Sequence, residues 1–142
     1  MFRESVIKIQ LDKGAIAPSR AHPYDAGLDL YAMEDGDIRS NCSCTFDTGV
    51  HVAIPEGFVG FIKSKSGLMV KHNITTDGTI DAHYTGSIKV KLFNHGSIPY
   101  EVKAGDKIAQ LVIVPCMLPR LELVDSLEET DRGDAGFGSS GR

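Results

Sequence analysis

Short stretches in which apolar and polar residues alternate dominate the chain. These stretches cover residues 6–11, 46–54 and 87–92, and residues 58–63 form a further strand-like stretch that follows a turn. Successive side chains of a β-strand point to opposite faces, so each alternating stretch predicts a half-buried strand. Residues 108–115 form a more continuously apolar run, which predicts a strand that lies deeper, and residues 121–124 predict a last short strand.

Turn residues separate these stretches, and the evidence for helix is confined to one segment. Pro55-Glu56-Gly57 predicts a turn that joins strands 46–54 and 58–63 into a hairpin. Residues 66–72 could form one or two helical turns, with Leu68 and Met69 facing inward. Many short strands with Gly, Pro, Asn and Asp between them predict an all-β sandwich or small barrel.

Composition narrows the functional classes. The chain has 142 residues, of which 42% are apolar, so a single core is expected without disulfide bonds. A net charge of −4 with no long basic run argues against nucleic acid and anionic membranes as partners. The sequence contains no apolar stretch long enough for a transmembrane helix, and its start lacks an apolar signal core.

The three cysteines predict reduced thiols and a cytoplasmic location, because their number is odd and no signal peptide is seen. Cys42 and Cys44 form a C-x-C pair, but the five histidines are scattered. The sequence therefore predicts no tetrahedral zinc site.

The last residues differ from the rest of the chain. Residues 131–142 contain four glycines and only two apolar residues, too few to offset the entropy of ordering. This predicts a domain over residues 1–130, followed by a mobile arm over residues 131–142. In the arm, Phe137 offers an aromatic face and Arg132 a donor fork, which suits a nucleotide. The alternative is a disordered tail with an incidental aromatic residue.

Two further segments carry polar groups that could act in chemistry. Lys63 to Leu68 combines two cations, two hydroxyls and a glycine, which suits an anion site or a solvated loop with a helix cap at Ser64 or Ser66. Asp81 follows an Asp-Gly turn and could be a general base or a turn-capping carboxylate.

Two isolated polar residues complete the candidates. Asp29 follows a glycine turn and could bind Mg²⁺ through water, or close an Asx-turn. Gln110 interrupts an apolar strand, so if buried it needs a partner from the core or from a ligand.

Taken in order, five segments of the chain resemble the trimeric, all-β dUTP diphosphatases (dUTPases). The segments are AGLDLYA (26–32), KSKSGLMVKH (63–72), GTIDAHYTG (78–86), GDKIAQLVIVP (105–115) and RGDAGFGSSG (132–141). The resemblance implies a β-jelly-roll (β-clip) barrel, a homotrimer with shared active sites, and an arm that closes over the nucleotide. It also implies Mg²⁺-dependent hydrolysis of dUTP to dUMP and diphosphate, which keeps uracil out of DNA and supplies dUMP for dTMP synthesis.

The resemblance also implies roles for individual residues. Asp81 would activate the water that attacks the α-phosphorus, and Asp29 would hold the metal through water. Tyr84 would pack under the deoxyribose and Phe137 would stack on uracil. Main-chain atoms around the uracil would come from Gly78, Thr79 and Ile80. Phosphate contacts would come from Lys65, Ser66, Gly67, Gln110, Arg132, Gly138, Ser139 and Ser140. Lys89, a strand position just past the hairpin, is a further candidate.

The sequence departs from the family pattern in two ways. Many members have Pro-Arg-Ser-Gly where this chain has Ser64-Lys65-Ser66-Gly67, and lysine keeps the charge but loses the bidentate fork of arginine. Residues 73–77 are also shorter than in familiar members, so no side-chain contact with uracil is predicted there.

Two alternatives use the same fold. A dCTP deaminase, or a bifunctional deaminase and diphosphatase, would need a catalytic glutamate, and none lies between His72 and Gly96. A nucleotide-gated regulatory binding protein would need a surface for its partner, and 142 residues leave little beyond the five segments.

Overall fold

Strands make up nearly all of the regular structure. A computed structural model describes residues 5–141, so residues 1–4 of the predicted domain and residue 142 of the predicted arm lie outside it. The elements are β1 (Ile9–Leu11), β2 (Leu28–Tyr31), β3 (Gly36–Ile38), β4 (Ser43–Asp47), β5 (Val50–Val52), β6 (Phe58–Lys63), α1 (Ser66–His72), β7 (Ile74–Thr75), β8 (Asp77–Ile80), β9 (Lys89–Asn94), β10 (Tyr100–Val102) and β11 (Lys107–Pro115). The predicted all-β class is confirmed.

Within residues 5–141 the strands form four antiparallel sheets around one core. The largest sheet has the order β2-β11-β6-β8, and a second has the order β4-β9-β7. Two further pairs join β1 to β5 and β3 to β10. Buried residues from every sheet meet in one apolar cluster, to which Leu30, Leu92, Val102 and Val52 contribute from four different sheets. No helix among residues 5–141 is long and apolar enough to cross a membrane.

Strand β9 illustrates how alternation builds this core. Val90 and Leu92 are buried, whereas Lys89 and Lys91 on the opposite face are exposed. The inward face ends at Asn94, a buried polar residue. Its amide nitrogen donates to the carbonyl oxygens of Ile38 at 2.9 Å and Ile98 at 2.8 Å. A buried amide of this kind is tolerated because its hydrogen bonds are made inside the protein.

Several predicted elements agree closely with the structure. Strand β6 and helix α1 have the predicted bounds, and β11 begins one residue earlier than predicted. The strand predicted over 6–11 is shortened to β1, and the one predicted over 87–92 lies two residues later as β9. Within α1, Leu68 packs against the core as predicted, but Met69 is 45% exposed, so its inward prediction is wrong.

The predicted strand over 46–54 is wrong, because the chain turns in its middle. β4 ends at Asp47 and β5 begins at Val50, and the two strands belong to different sheets. Gly49 lies between them with φ +66, in the left-handed region that glycine adopts readily. The predicted hairpin is also wrong, because β5 pairs with β1 while β6 pairs with β11 and β8.

The strand predicted over 121–124 is absent, because the segment has no partner strand among the described residues. Leu121 is 88% exposed and Leu123 fully exposed. Neither predicted serine cap of α1 is found. The helix begins after Lys65 without a side-chain cap. Ser64 instead donates its hydroxyl to the carbonyl oxygen of Thr76 at 3.0 Å.

Candidate active site

Polar residues from four neighbouring strands lie in one row across the largest sheet. In its register, Asp29 of β2 is opposite Gln110 of β11, which is also opposite Lys63 of β6. Lys63 is in turn opposite Asp77 of β8. Directly opposite residues share a face of a sheet. All four line one cavity of about 630 Å³.

The Asp29 carboxylate is the most buried charge of this cavity. Its residue is 3% exposed. Lys65 donates to one carboxylate oxygen, and the Lys107 ammonium lies 3.4 Å from the other. Lys65 comes from the loop between β6 and α1, and Lys107 opens β11. A charge this buried needs such partners, because its desolvation is otherwise costly.

Gln110 connects the sheet to the loop that carries Lys65. Its amide nitrogen donates to the carbonyl oxygen of Ser64 at 2.9 Å. The Ser64 hydroxyl in turn accepts from the Thr76 N–H at 3.0 Å. A Cβ added to Gly27 would overlap the Gln110 side chain, so only glycine allows this close approach. The first, second and fourth family-like segments therefore converge on one wall.

Ser66 and Gly67 lie at the start of α1, directly after Lys65, and both are exposed. They do not line the cavity, although Met69 of the same helix does. A Cβ added to Gly67 would meet nothing within 4 Å. The surface beside Lys65 is therefore open to a ligand.

The predicted general base lies away from this cavity in its own chain. Gly78 and Thr79 extend along β8, and Ile80 is buried opposite Gly60. Asp81 follows as an exposed residue four positions beyond Asp77, which corresponds to about 13 Å along a strand. No residue of the third segment lines the cavity, whereas Asp77, which directly precedes that segment, does so.

Tyr84 is fixed within the loop that follows Asp81. Its hydroxyl donates to the Ser87 carbonyl oxygen at 3.1 Å, and its N–H donates to the Asp81 carbonyl oxygen at 3.2 Å. The ring is 47% exposed. A Cβ added to Gly86 would lie 2.6 Å from the tyrosine oxygen, so the glycine makes room for this conformation.

Lys89, the added candidate, is exposed at the start of β9 and lies opposite Asp47 of β4. Burial alone would raise the pKa of Asp47, but hydrogen bonds from Ser87 and from the Gly49 N–H, with the charge of Lys89, lower it overall. In this chain Lys89 therefore faces a carboxylate.

The residues of the predicted arm that the structure describes, 131–141, are all exposed, and their hydrogen bonds stay local. Arg132 donates through Nε to the Ala135 carbonyl oxygen at 2.8 Å. Phe137 is fully exposed with φ +41, which is unusual for a residue with a bulky side chain. Gly138, Ser139 and Ser140 are also exposed, and none of these arm residues lines the cavity.

The cavity thus brings together three predicted residues, Asp29, Lys65 and Gln110. Lys63 belongs to the anion-site segment that the sequence predicted, whereas sequence reasoning missed Asp77 and Lys107. Their charges are visible in the sequence, but only the pairing of the strands places Asp77 in one row with Lys63 and Gln110, and only the fold brings Lys107 to within 3.4 Å of the Asp29 carboxylate.

The fold and the cavity define a small all-β protein whose lysines and buried carboxylate suit an anionic ligand. A family model described as dUTPase matches residues 13–141. The chain belongs to the dUTPase family. The deoxyuridine 5'-triphosphate nucleotidohydrolase of Syntrophotalea carbinolica is 43% identical over 141 residues, covering 95% of this chain and 96% of the relative. Its counterpart from Arabidopsis thaliana is 43% identical over 133 residues, covering 93% and 80%.

Solved structures agree with this assignment. The dUTPase of Staphylococcus bacteriophage 80alpha with dUPNHPP aligns with a TM-score of 0.92 at 31% identity, covering 98% of this chain and all of that chain. A dUTPase mutant of phage phi11 of S. aureus, described for the coordination of a structural Mg(II) ion, aligns with a TM-score of 0.82 at 29% identity. It covers 88% of this chain and all of that chain.

Replacing Asp29 by asparagine tests the buried charge. We expect Asp29→Asn to lower the free energy of unfolding by about 1–3 kcal/mol, because two lysines lose their counter-charge. Glu101→Gln is the matched control, since Glu101 pairs with Lys103 where both side chains are 60% exposed. That change should cost less than about 0.5 kcal/mol. Denaturant unfolding at one protein concentration measures both, and equal effects would contradict the assignment.

Proposed function

We propose that this protein hydrolyses dUTP to dUMP and diphosphate, and so limits uracil in DNA and supplies dUMP for dTMP synthesis. The observation that carries the proposal is the convergence of three family-like segments on one polar cavity, in a chain whose relatives are named deoxyuridine 5'-triphosphate nucleotidohydrolases. Phosphoryl transfer depends mainly on positioning and on stabilising charge, so a site of fixed lysines and carboxylates suits this reaction.

The triphosphate is bound at the open surface beside Lys65. Lys63 and Lys65 line the cavity, and the exposed Ser66 and Gly67 follow at the start of α1. Lys65 is held by Asp29, so its ammonium is fixed before substrate arrives. A fixed cation loses less side-chain entropy on binding a phosphate than a free one. Gln110 positions the loop that carries Lys65, because its amide nitrogen donates to the Ser64 carbonyl oxygen. This role is additional to the phosphate contact of Gln110 that the family resemblance implies.

Magnesium is the proposed cofactor, and the cavity residues are suited to bind it through water molecules rather than directly. Residues 5–141 contain no cluster of three His, Cys, Asp or Glu side chains arranged around a metal. Mg²⁺ keeps several waters and binds substrate phosphates with few protein ligands, so such a cluster is not required. Asp29 would hold the ion through water, because a carboxylate accepts about four hydrogen bonds and two lysines leave some free. When bound, the ion would offset phosphate charge.

Asp81 acts as the general base. Its carboxylate is exposed at the end of β8, and no salt bridge involves it among residues 5–141. An unpaired carboxylate is able to orient a water and accept its proton as the water attacks the α-phosphorus. Main-chain atoms of Gly78, Thr79 and Ile80 bind uracil, and Tyr84 packs under the deoxyribose.

We further propose a homotrimer in which each active site is shared. The strand distance between Asp77 and Asp81 keeps this base from the cavity of its own chain, which supports a site completed by another copy. Exposed apolar side chains after β11 also favour assembly, since such surface is unusual on a monomer. They are Met117, Leu118, Leu121, Leu123 and Leu127.

The arm over residues 131–142 closes the site. Phe137, which is fully exposed, stacks on uracil, and Arg132 binds the γ-phosphate. Gly138, Ser139 and Ser140 add N–H and hydroxyl donors to the phosphates. An arm with so few contacts of its own gains most of its order on binding, and its closure excludes water from the reaction.

The dCTP deaminase alternative is not favoured, because the matching relatives are named as dUTP hydrolases. No observation specifically supports a regulatory binding protein. A cytoplasmic location is proposed because Cys42, Cys44 and Cys116 are all free thiols, which suits a reducing compartment.

The substrate is tested by comparing dUTP, dCTP, dTTP and UTP with Mg²⁺. We expect diphosphate release from dUTP at a rate at least about 100-fold above the others, since a site built to hydrogen-bond one base strongly rejects analogues that leave its polar groups unpaired. Ammonia release from dCTP, measured in the same samples, would identify the deaminase alternative instead.

Asp81→Asn tests the general base. We expect diphosphate release to fall by about 100-fold or more, because the amide cannot accept the proton of the attacking water. Binding of a non-hydrolysable dUTP analogue should persist, as calorimetry would show. Asp37→Asn, at another exposed strand carboxylate, is the control and should keep full activity. Unchanged turnover in Asp81→Asn would refute the role.

Deleting residues 131–142 tests the arm and the sharing of sites together. We expect a large loss of activity with little change in melting temperature, because residues 131–141 are exposed and none of them belongs to the buried core. Subunits lacking the arm, mixed and reassembled with Asp81→Asn subunits, should regain activity at about a quarter of the sites if arm and hairpin come from different chains. Absence of any recovery in verified mixed trimers would contradict shared sites.

A further inference from the structure

His51 joins the loop that follows Asp81 to the body of the protein. It lies on β5 with its side chain 25% exposed. Its Nδ1 lies 2.7 Å from the carbonyl oxygen of Thr85, and its Nε2 lies 2.9 Å from a carboxylate oxygen of Asp12. The ring therefore bridges the segment after β1 and the loop between β8 and β9.

These two contacts favour the protonated form of the ring. A carbonyl oxygen and an ionised carboxylate only accept hydrogen bonds, so both hydrogen bonds form together only when both ring nitrogens donate. Only the imidazolium form carries a proton on each nitrogen. The hydrogen bond to Thr85 raises the pKa of His51, and the hydrogen bond and charge of Asp12 raise it further. Asp12 and Asp47 are the charged groups that act on the ring.

Within residues 5–141, two side-chain hydrogen bonds, or ties, hold the loop that follows Asp81, and the one from His51 is the less exposed to solvent. Residues 87 and 88 are already held, since the Ile88 carbonyl oxygen accepts from the Thr48 hydroxyl at 2.7 Å. Among the described residues, side-chain hydrogen bonds join residues 81–86 to other elements at two points, His51 to Thr85 and His83 to Glu56. The His83 pair is more than 70% exposed on both sides, and exposed pairs contribute little.

We propose that His51 is a positioning residue for the nucleotide, holding the loop of Asp81 and Tyr84 in its binding geometry through the Thr85 carbonyl. The inference rests on the proposed function, in which this loop binds the deoxyuridine. Thr85 directly follows Tyr84, so a shift of its carbonyl moves the ring that packs under the sugar.

The tie depends on pH in a defined direction. With its pKa raised, His51 stays protonated to a higher pH than an ordinary histidine, and the tie is complete below its usual value of 6.5. As pH rises through the raised pKa, one proton is lost. A hydrogen bond to a carboxylate is stronger than one to a carbonyl, so the remaining proton stays on Nε2 facing Asp12. The bond to Thr85 is then lost.

The experiment compares nucleotide binding by full-length wild type, His51→Leu and His51→Asn between about pH 6 and 9. The probe is dUpNHpp with Mg²⁺, measured by calorimetry. At low pH we expect His51→Leu to bind about 3- to 10-fold more weakly than wild type, the range that one hydrogen bond allows. The ratio of the two dissociation constants, His51→Leu over wild type, should approach one as pH rises and wild-type His51 loses its proton. His51→Asn keeps a neutral donor near Nδ1, so its affinity should follow wild type at low pH and exceed it at high pH.

Ring-nitrogen NMR of labelled wild type measures the titration independently. We expect both nitrogens of His51 to carry protons at about pH 6, with a pKa above 6.5 that Asp12→Asn lowers. Glu56→Gln is the control, because it weakens the exposed contact of His83 on the same loop, and it should change affinity less than twofold. Melting temperatures check that each variant is folded.

Two results would overturn the inference: a His51→Leu to wild-type ratio near one at every pH, or a ratio that does not follow the measured titration. The second indicates a structural role only. Failure of wild type to bind dUpNHpp would instead contradict the proposed function. In that case NMR of the free protein still tests the contact between His51 and the loop. If the amide chemical shifts of residues 81–86 are the same in His51→Leu as in wild type, His51 does not hold the loop.

Discussion

The buried Asp29 carboxylate is the interaction on which the cavity depends. Its two oxygens face Lys65 and Lys107, which lie far apart in the sequence, so one charge fixes the loop before α1 against the start of β11. Exchange of all three charged groups for apolar ones would change stability little, because desolvation offsets most of the attraction, whereas loss of the carboxylate alone leaves the lysines without their counter-charge. The effect of the carboxylate is geometric, since an ammonium held in advance meets a phosphate at a lower cost in side-chain entropy. The departure from arginine to Lys65 is compatible with this arrangement, which needs one cation beside one oxygen.

The other parts of the proposed site differ in how many hydrogen bonds hold them in place. The cavity wall is rigid, because Gln110 and Ser64 connect strands that are themselves paired in the sheet. The loop with Asp81 and Tyr84 makes few side-chain hydrogen bonds to other elements, and the described part of the arm, residues 131–141, makes only local ones. This gradient fits an enzyme whose phosphate site is formed in advance and whose base-binding and closing parts are completed by other copies and by the nucleotide.

The elements that the sequence predicted correctly are those specified by neighbouring residues, and the wrong predictions concern elements that depend on distant parts of the chain. Strand 58–63 and helix 66–72 were predictable, since turn residues and short runs of apolar residues are local signals. The 46–54 strand failed because a buried turn at Gly49 redirects the chain between two sheets, which alternation does not reveal. The apolar alternation at Leu121 and Leu123 is genuine, but a strand needs a partner edge, and residues 5–141 of one chain supply none.

By itself the sequence determined the all-β class, the family and the identity of the polar segments, because these depend on residue types and on their spacing along the chain. Only the tertiary structure decided which segments meet. Antiparallel register brings Lys63, Asp77 and Gln110 into one row with Asp29, and the length of β8 carries Asp81 about 13 Å away from that row. Likewise, the histidine at position 51 is one of five scattered in the sequence. Its two acceptors come from distant segments, so only the fold shows that each ring nitrogen faces an oxygen acceptor and that the ring contacts the loop.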